Sequence, residues 1–274
     1  MPAVRLAVDA REVLLRYGQR VAVAASTFTI PAGAFTAIIG PNGSGKSTVL
    51  NAIAGIVEPS AGTLRVEGGG ARASYVLQST KVNEGLHVTV AEVVTMGRYA
   101  TTGPYGRLRA RDRAAVDRAM DRMGIRGLAA RHLHELSGGE RQRVFVAQGI
   151  AQDHEVLLLD EPLTGLDLNS AHAIDEMIHE EQAAGRTVIM TTHDLAEARS
   201  ADWVLLLAGR VVASGSPAEV LTVEHLTEAY GPSLLHVDDG GYFLDDPAHQ
   251  PVPGRHVHQE RTIHAEPPSA DEHG

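Results

Sequence analysis

The feature that most restricts the fold of this chain is a glycine-rich run at residues 40–48. It reads Gly-Pro-Asn-Gly-Ser-Gly-Lys-Ser-Thr and fits the pattern G-x-x-x-x-G-K-[ST] in full. An apolar, β-branched stretch at residues 35–39 precedes it, and residues 46–53 have helical character. A strand that turns through such a loop into a helix directs several backbone N–H groups and the positive end of the helix dipole at one point. The sequence therefore predicts a phosphate-binding loop in an α/β domain.

Each residue type in this loop suits the binding of a nucleotide. Lys46 should reach the β- and γ-phosphates, and the Ser47 hydroxyl should bind Mg²⁺. The 24 basic residues include only two lysines, Lys46 and Lys81, and a chain rich in arginine keeps lysine where a compact point charge is needed. The predicted ligands are ATP and Mg²⁺. The predicted nucleotide contacts in the loop are Gly40, Pro41, Asn42, Gly43, Ser44, Gly45, Lys46, Ser47 and Thr48.

A second motif places two carboxylates at the end of an apolar strand. Residues 156–159 read Val-Leu-Leu-Leu and are followed by Asp160 and Glu161. Ligands of open α/β sheets bind at the carboxyl ends of the strands, so both side chains should face the phosphate-binding loop. Asp160 is predicted to hold Mg²⁺ through water, and Glu161 to activate the attacking water. The alternative interpretation is an exposed acidic turn without a ligand.

The remaining chain alternates predicted strands and helices. Val116, Met120 and Met123 recur at helical spacing and belong to a predicted helical insertion over about residues 79–150, and a further helix is predicted at 171–184. Such alternation predicts a mainly parallel sheet that is covered on both faces. Apolar or β-branched runs predict additional strands at residues 4–8, 12–15, 27–30, 63–66, 74–77, 187–192 and 204–207.

A third motif, Leu-Ser-Gly-Gly-Glu at residues 136–140, predicts the start of a helix. Ser137 and Glu140 have the spacing of a capping box, and the two glycines leave the first N–H groups of the helix open to an anion. Alone, the pattern supports only a well-capped helix. It resembles, however, the signature motif of the ATP-binding cassette (ABC) ATPases, and it begins 24 residues before Asp160, as that family spaces it.

Further residues match the motifs of that family in order. Tyr17 resembles the aromatic residue that stacks on adenine, and Gln78 resembles the Q-loop glutamine. Asp167 resembles the D-loop aspartate, and His193 the switch histidine that contacts the γ-phosphate. The resemblance covers about residues 4–230. It implies a P-loop NTPase cassette with a mainly parallel sheet, an antiparallel β subdomain and a helical insertion.

The resemblance also implies partners and shared sites. Two copies are expected to pair head to tail as a homodimer, each enclosing ATP between its own loop and the partner's signature motif. The expected partners are integral membrane permease subunits and, indirectly, a solute-binding protein. The residues expected to act in trans are Ser137, Gly138, Gly139 and Glu140. The expected magnesium ligands are Ser47, Gln78 and Asp160.

Several short stretches point to a branch of the family. Residues 89–94 and 96–99, together with residues 229–231 and 234–246, look like the manganese/zinc/iron importers. This resemblance predicts an ATPase that powers the import of a divalent transition metal. The importers of ferric siderophores, haem and cobalamin share a similar Met-Gly-Arg-Tyr stretch, so that alternative stays open. A soluble ABC ATPase, such as an iron–sulfur assembly factor, is a third possibility, although the chain has no cysteine to bind a cluster directly.

Charge and apolar pattern restrict partners and location. The net charge of −10 argues against a protein that wraps nucleic acid, because phosphate neutralisation needs a basic footprint. No secretion signal or membrane-spanning run is recognised, so we expect a cytoplasmic protein, peripheral on the inner face of the membrane. Nine arginines between residues 98 and 131 of the insertion predict either a docking surface or a solvated helical face.

The composition changes towards the C-terminus. Residues 1–236 are predicted to form the ATPase domain, and residues 237–274 an acidic extension rich in His and Pro that is disordered from about residue 247. Its histidines predict either a flexible polar tail or a site for divalent metal. They are His249, His256, His258, His264 and His273.

Overall fold

The main sheet of the protein is mostly parallel. The computed structural model describes residues 5–67, 72–77, 87–103, 106–231, 235–238 and 241–244. The six strands of this sheet are β3 (Phe35–Ile39), β5 (Ala73–Val76), β6 (Val156–Asp160), β7 (Thr187–Thr192), β8 (Trp203–Leu207) and β9 (Val211–Gly215). Their order is β5-β6-β7-β3-β8-β9. Only β9 runs antiparallel to its neighbour, so the predicted mainly parallel sheet is confirmed for the described strands.

A second sheet is antiparallel and contains β1 (Leu6–Tyr17), β2 (Arg20–Pro31) and β4 (Ala61–Val66) in the order β2-β1-β4. The prediction of two short strands at 4–8 and 12–15 was wrong, because β1 is continuous through an irregularity at Glu12, where φ is 50°. The Glu12 N–H donates to Thr27 Oγ1 (3.0 Å). Opposite this point, a Cβ at Gly62 would lie 2.2 Å from the Glu12 carbonyl oxygen, so β4 needs glycine there.

Most described helices cover the faces of the main sheet or form the segment between β5 and β6. That segment, here called the helical segment, contains α2 (Val90–Met96), α3 (Tyr99–Thr102), α4 (Ala110–Arg122) and α5 (Gly138–Ile150), with 3-10 turns at Arg126–Leu128 and Leu133–Glu135. The others are α1 (Lys46–Ile53), α6 (Leu168–Ala183), α7 (Leu195–Ser200), α8 (Pro217–Val220) and α9 (Val223–Tyr230). Helix α6 begins three residues earlier than predicted because Asp167 caps it.

A hairpin of β10 (Leu235–Asp238) and β11 (Gly241–Leu244) ends the described part of the chain. The predicted domain boundary between residues 236 and 237 therefore falls inside β10. The predicted disordered tail from about residue 247, with its five histidines, lies outside the described residues.

The core lies on both faces of the main sheet, as side-chain alternation along β6 shows. Leu157 and Leu159 pack with α5 and α6 on one face, and Leu158 packs with Leu50 and Ile53 of α1 on the other. Every residue of β6 and β7 is buried. Burial of each leucine stabilises the fold by about 1.5–3 kcal/mol. Within the described residues, no helix is both long and apolar enough to cross a bilayer.

A buried arginine attaches the helical segment to the main sheet. Arg98, which is 2 % exposed, donates to Asp112 Oδ1 (2.9 Å) at the start of α4. It also donates to the Ala151 carbonyl (2.8 Å) and to Asp153 Oδ1 (3.0 Å), just before β6. Because Asp112 is fully buried, the guanidinium compensates a carboxylate that water cannot reach.

A second buried ion pair joins the far end of α4 to α6. Arg122 donates to Glu181 Oε1 (2.6 Å), and His154 Nε2 lies 2.9 Å from Glu181 Oε2. Burial alone would raise the pKa of Glu181, but hydrogen bonds from His154, Arg186 and Arg122 hold it at about 2. Arg98 and Arg122, two of the nine arginines between residues 98 and 131, are therefore bound internally rather than presented for docking.

Candidate functional site

The phosphate-binding loop leaves β3 and enters α1 through glycines that no other residue could replace. A Cβ at Gly40 would lie 2.1 Å from the Leu207 carbonyl oxygen. Gly45 has a φ of 104°, and a Cβ there would lie 2.5 Å from Val23 Cγ2. Glycine alone tolerates both the positive φ and the close approach of β2 and β8. The packing of the loop against neighbouring strands thus fixes its backbone.

Polar groups of this loop suit an anionic ligand. Lys46 is 6 % exposed, and its Nζ donates to the carbonyl oxygens of Gly40 (2.8 Å) and Pro41 (3.3 Å). Ser44 Oγ is buried and has no hydrogen-bond partner among the described residues. Gly45 precedes α1 and provides no side-chain cap, which leaves the first N–H groups of the helix for another acceptor.

Asp160, at the carboxyl end of β6, collects hydroxyl groups from three other elements. Its Oδ1 accepts from Thr191 Oγ1 of β7 (2.6 Å) and from Ser47 Oγ of α1 (3.2 Å). Its Oδ2 accepts from the Tyr75 hydroxyl of β5 (3.4 Å). Burial raises the pKa of Tyr75, and the charge of Asp160 adds to the effect, so Tyr75 stays protonated as a donor. We call Asp160, Ser47, Thr191 and Tyr75 the carboxylate–hydroxyl cluster.

Glu161 has a backbone conformation that is rare outside glycine. Its φ is 46°, and its N–H donates to Thr191 Oγ1 (2.8 Å). A non-glycine residue held at positive φ costs about 1–3 kcal/mol, so the surrounding structure must enforce it. The half-buried Glu161 therefore follows directly on the cluster at a strained, fixed position.

The predicted adenine-stacking residue lies at the end of β1. Tyr17 is 50 % exposed, and its hydroxyl accepts from Asn51 Nδ2 of α1 (3.3 Å). This bond connects the antiparallel sheet to the helix that follows the phosphate-binding loop. An exposed aromatic face beside that helix is available for stacking.

The predicted signature motif starts α5 as a capping box. The Glu140 N–H donates to Ser137 Oγ (3.2 Å), and the Ser137 N–H donates to Glu140 Oε2 (2.8 Å). The hydrogen bond from the Ser137 N–H lowers the pKa of Glu140. Ser137 and Gly138 are exposed, whereas Gly139 is buried. The motif thus presents a capped helix end with its first two residues at the surface.

The signature motif also contacts the predicted D-loop of the same chain. A Cβ at Gly139 would lie 2.4 Å from Asp167 Oδ2 and 2.4 Å from Ser170 Oγ, so only glycine allows this packing. Asp167 caps α6 by accepting from the Ser170 N–H (2.9 Å) and hydroxyl (2.8 Å). That backbone N–H is the main reason that the pKa of Asp167 is lowered. The two motifs are therefore packed directly against each other.

His193 follows β7 and is half-buried. The residues around it are held by Thr192, whose Oγ1 accepts from the Asp194 N–H (2.9 Å) and donates to Glu197 Oε2. Burial raises the pKa of Glu197 to about 7, with Asp194, Asp175 and Glu161 adding to the shift. This carboxyl group thus titrates near neutral pH beside the predicted catalytic residues.

Three residues near the site were not predicted from the sequence, and one predicted residue lies outside the described part of the chain. Thr191 and Tyr75 contact Asp160, and Glu197 contacts Thr192 beside His193. Each lies in an ordinary strand or helix without a motif of its own. The only available signal was their position at or near a strand end. Gln78, predicted to bind Mg²⁺, lies outside the described residues.

Comparison with known proteins gives a consistent result. Residues 23–164 match the family model of the ABC transporter. The manganese transport system ATP-binding protein MntA of Synechocystis sp. is 35 % identical over 236 residues, which are 83 % of this chain and 91 % of that protein. The zinc transport system ATP-binding protein TroB of Treponema pallidum is 37 % identical over 235 residues, or 84 % and 88 % of the two chains.

A solved structure supports the same assignment. It is described as an inward-facing, metal-chelate type ABC transporter, and its chain is 26 % identical to this one. The TM-score is 0.74, and the alignment covers 87 % of this chain and 96 % of the other. The predicted cassette fold is thereby confirmed.

Proposed function

Because this chain belongs to the ABC transporter family and is one of its ATPases, we propose that it hydrolyses Mg²⁺-ATP to power a membrane importer for a divalent transition metal. The observation that carries the chemistry is the carboxylate–hydroxyl cluster. It places Asp160 within hydrogen-bond distance of Ser47, directly after Lys46, and Glu161 follows at a fixed backbone position. This arrangement suits phosphoryl transfer to water, which depends mainly on positioning and charge stabilisation.

The residues of the loop and the cluster fit a magnesium-bound nucleotide. Ser44 Oγ and the first N–H groups of α1 can donate to phosphate oxygens, and Lys46 adds positive charge. Ser47 and Asp160 offer the hard oxygen ligands that Mg²⁺ prefers, and we propose Gln78 as a further oxygen ligand. When bound, the ion neutralises charge on the phosphate oxygens.

Glu161 is the proposed general base. Its carboxylate would accept a proton from the attacking water while a bond forms from that oxygen to the γ-phosphorus and the bond to the leaving ADP oxygen breaks. His193, at the end of the neighbouring strand, would contact the γ-phosphate. Tyr17 would stack on the adenine ring from the end of β1.

A complete site needs a second copy of the chain in this proposal. The exposed Ser137 and Gly138 at the start of α5 would donate to the γ-phosphate held by the partner. Gly139 packs against Asp167. When the two copies close on the nucleotide, a movement of the signature motif would therefore be transmitted to the D-loop. Two such sites form in a head-to-tail homodimer, as expected from the motif resemblance.

The cargo proposal comes from the relatives. MntA and TroB are named for manganese and zinc transport, which supports a divalent transition metal as the cargo. The solved metal-chelate type transporter favours a second candidate, a chelated metal. In both cases the partners would be permease subunits in the membrane, with a solute-binding protein acting on them. This chain would lie on the inner face of the membrane, its residues 1–236 forming the ATPase domain and residues 237–274 an extension.

Co-purification and uptake together test this function. The tagged chain, extracted from its own membranes in mild detergent, should carry a polytopic membrane protein. Cells with the Glu161→Gln chain should then lose uptake of radiolabelled Mn²⁺ or Zn²⁺ but keep the complex. Recovery of a soluble scaffold and no membrane protein would contradict the transport role. Unchanged metal uptake with lost uptake of a ferric chelate would replace the first cargo by the second.

A further inference from the structure

Three histidine side chains cluster beside the signature helix, outside the residues assigned to ATP. The ring centroids of His87 and His132 are 5.9 Å apart. Those of His87 and His134 are 5.6 Å apart, as are those of His132 and His134. Three imidazoles in mutual contact would repel one another when protonated and are a ligand type that transition metals favour. The cluster therefore needs an explanation of its own.

Backbone pairing brings the three residues together. Thr89 and His132 form an antiparallel bridge. In the same register His87 lies opposite His134, two residues further along. Side chains on a paired strand alternate between faces, so His132 and His134 share a face, and His87 lies on that face of the other strand. The cluster is thus set by register.

The residues between the histidines anchor this pairing in the core. The Leu133 N–H donates to the Val88 carbonyl (2.9 Å). Both side chains are buried on the opposite face, Val88 at 7 % and Leu133 at 2 % exposure. The pairing therefore presents the histidines outward from a fixed backbone.

The three ring separations, 5.6–5.9 Å, are slightly larger than those around a single metal ion. With zinc–nitrogen bonds of about 2.0–2.1 Å, three imidazoles on one ion hold their ring centroids about 5.2–5.5 Å apart. No three donor groups of the described residues have already converged as a metal would hold them. The His87 and His134 rings are exposed, however, and exposed rings turn between rotamers within nanoseconds. The His132 and His134 rings are stacked, with 11° between their planes, so one of them must turn about its side-chain bonds before both can direct a nitrogen at one ion. The backbone need not change.

Two further groups point to a ligand at this place. His132 Nδ1 is buried and lacks a hydrogen-bond partner among the described residues, which is unfavourable until a ligand meets it. The carboxylate of Glu92 accepts from the Thr89 N–H (2.8 Å). It also accepts from the Thr89 hydroxyl (2.8 Å), and Thr89 is the bridge partner of His132. An anionic oxygen ligand is thus close to the rings.

We propose that His87, His132 and His134, with Glu92 as an oxygen ligand, bind one divalent transition-metal ion. Three imidazoles and one carboxylate suit Zn²⁺ in tetrahedral geometry. The bound ion would tie the segment that enters α2 to the segment that enters α5, three residues before Ser137. Binding requires neither ATP nor a membrane partner, so the site goes beyond the proposed function and its test is independent of transport.

Calorimetric titration of the full-length protein with ZnCl₂ tests the site. His132 is half-buried, so the test variant changes only the two exposed rings, His87→Gln with His134→Gln. We expect the variant to bind one Zn²⁺ fewer per chain than the parent. Zn²⁺ should also raise the melting temperature of the parent by more than that of the variant, because a ligand of the native state stabilises it.

Two matched pairs of substitutions identify the source of any lost binding. His172→Gln with His179→Gln removes two exposed histidines of α6 and should leave Zn²⁺ binding as in the parent. His256→Gln with His258→Gln, in the C-terminal extension, should also retain the step that the test variant loses. Equal stoichiometry and affinity in the parent and the test variant would overturn the proposal. So would loss of the same step in either control pair.

Discussion

At the edge of the main sheet, Asp160 accepts from Ser47, Thr191 and Tyr75, groups brought to one point by parallel strands that end side by side. In the helical segment, Arg98 instead joins Asp112 of α4 to Asp153, which lies between α5 and β6, through a buried guanidinium. The first arrangement aims oxygen atoms at a ligand. The second has all its charges mutually bound. Chemistry and mechanical attachment are thus assigned to different regions of one chain.

The largest expected effect is on turnover at the sheet edge. Glu161→Gln should lower the ATPase rate at least about 100-fold, because the amide accepts no proton from water, while ATP affinity is retained. Lys46→Ala should instead weaken ATP binding by about 10-fold or more, since it removes a charged donor to phosphate. Steady-state phosphate release and equilibrium binding of a fluorescent ATP analogue separate the two effects.

Glu155→Gln is the matched control for the base. Glu155 immediately precedes the same strand, β6, at its opposite end, where it pairs with Arg72. Its substitution should leave turnover within a few-fold of the parent. Comparable losses of ATPase turnover for Glu155→Gln and Glu161→Gln would mean that the position of Glu161 at the carboxyl end of β6 is not what makes it important for hydrolysis.

The next effect is on stability and belongs to the helical segment. Arg98→Met leaves the fully buried Asp112 without its cation, which should lower the free energy of unfolding by about 3–5 kcal/mol. The exposed arginine Arg126, which pairs with Asp121, provides the control, because solvent screens this ion pair and Arg126→Met should leave the free energy of unfolding nearly unchanged. Urea denaturation measures both. Equal costs for the two substitutions would remove the distinction between a buried attachment and a surface ion pair.

These two regions were not equally predictable from the sequence. The loop at residues 40–48 is one contiguous run, and so is the pair Asp160–Glu161. The spacing of residues within each run was enough to predict an ATP site. The partners Arg98 and Asp153 lie 55 residues apart, and local periodicity carries no information about such a pairing. The continuous β1 was missed for a related reason, because the irregularity at Glu12 is stabilised by Thr27 of another strand.

The clustered histidines show the same limit. His132 and His134 lie just before the signature motif, and their i, i+2 spacing alone indicates no site. His87 lies 45 residues earlier than His132. Only the bridge between Thr89 and His132 reveals that they meet. Sequence patterns thus predicted a position for the ATP chemistry, whereas long-range register brought the neighbouring histidines together.

A smaller, pH-dependent effect tests the charge balance near His193. The pKa of Glu197 is raised from its ordinary 4.5 to about 7, so the native state holds a proton that the unfolded chain releases between these values. Its contribution to stability should therefore decline as pH rises from about 4.5 to 7, by about 2–4 kcal/mol in total. Glu197→Gln should flatten that slope and keep an acceptor for Thr192.

Urea unfolding at several pH values between 5 and 8 measures this difference. The control is Glu224→Gln on α9, an exposed position that should keep the slope of the parent. Asp194, Asp175 and Glu161 face Glu197, so a slope that persists in Glu197→Gln would assign the proton to one of these groups instead. A stability that does not change with pH in the parent itself would show that no group here titrates near neutral pH.

The central claim is that the sheet edge of one copy and the signature helix of another enclose ATP together. Sedimentation velocity of the Glu161→Gln protein, with and without Mg²⁺-ATP, tests it most directly. We predict that ATP converts monomer to dimer, and that adding Ser137→Arg prevents this by placing a bulky charge at the γ-phosphate. Ser216→Arg removes the equivalent cap of α8, so it controls for lost capping and should leave the dimer intact. An ATP-dependent dimer that persists with Ser137→Arg would contradict the account.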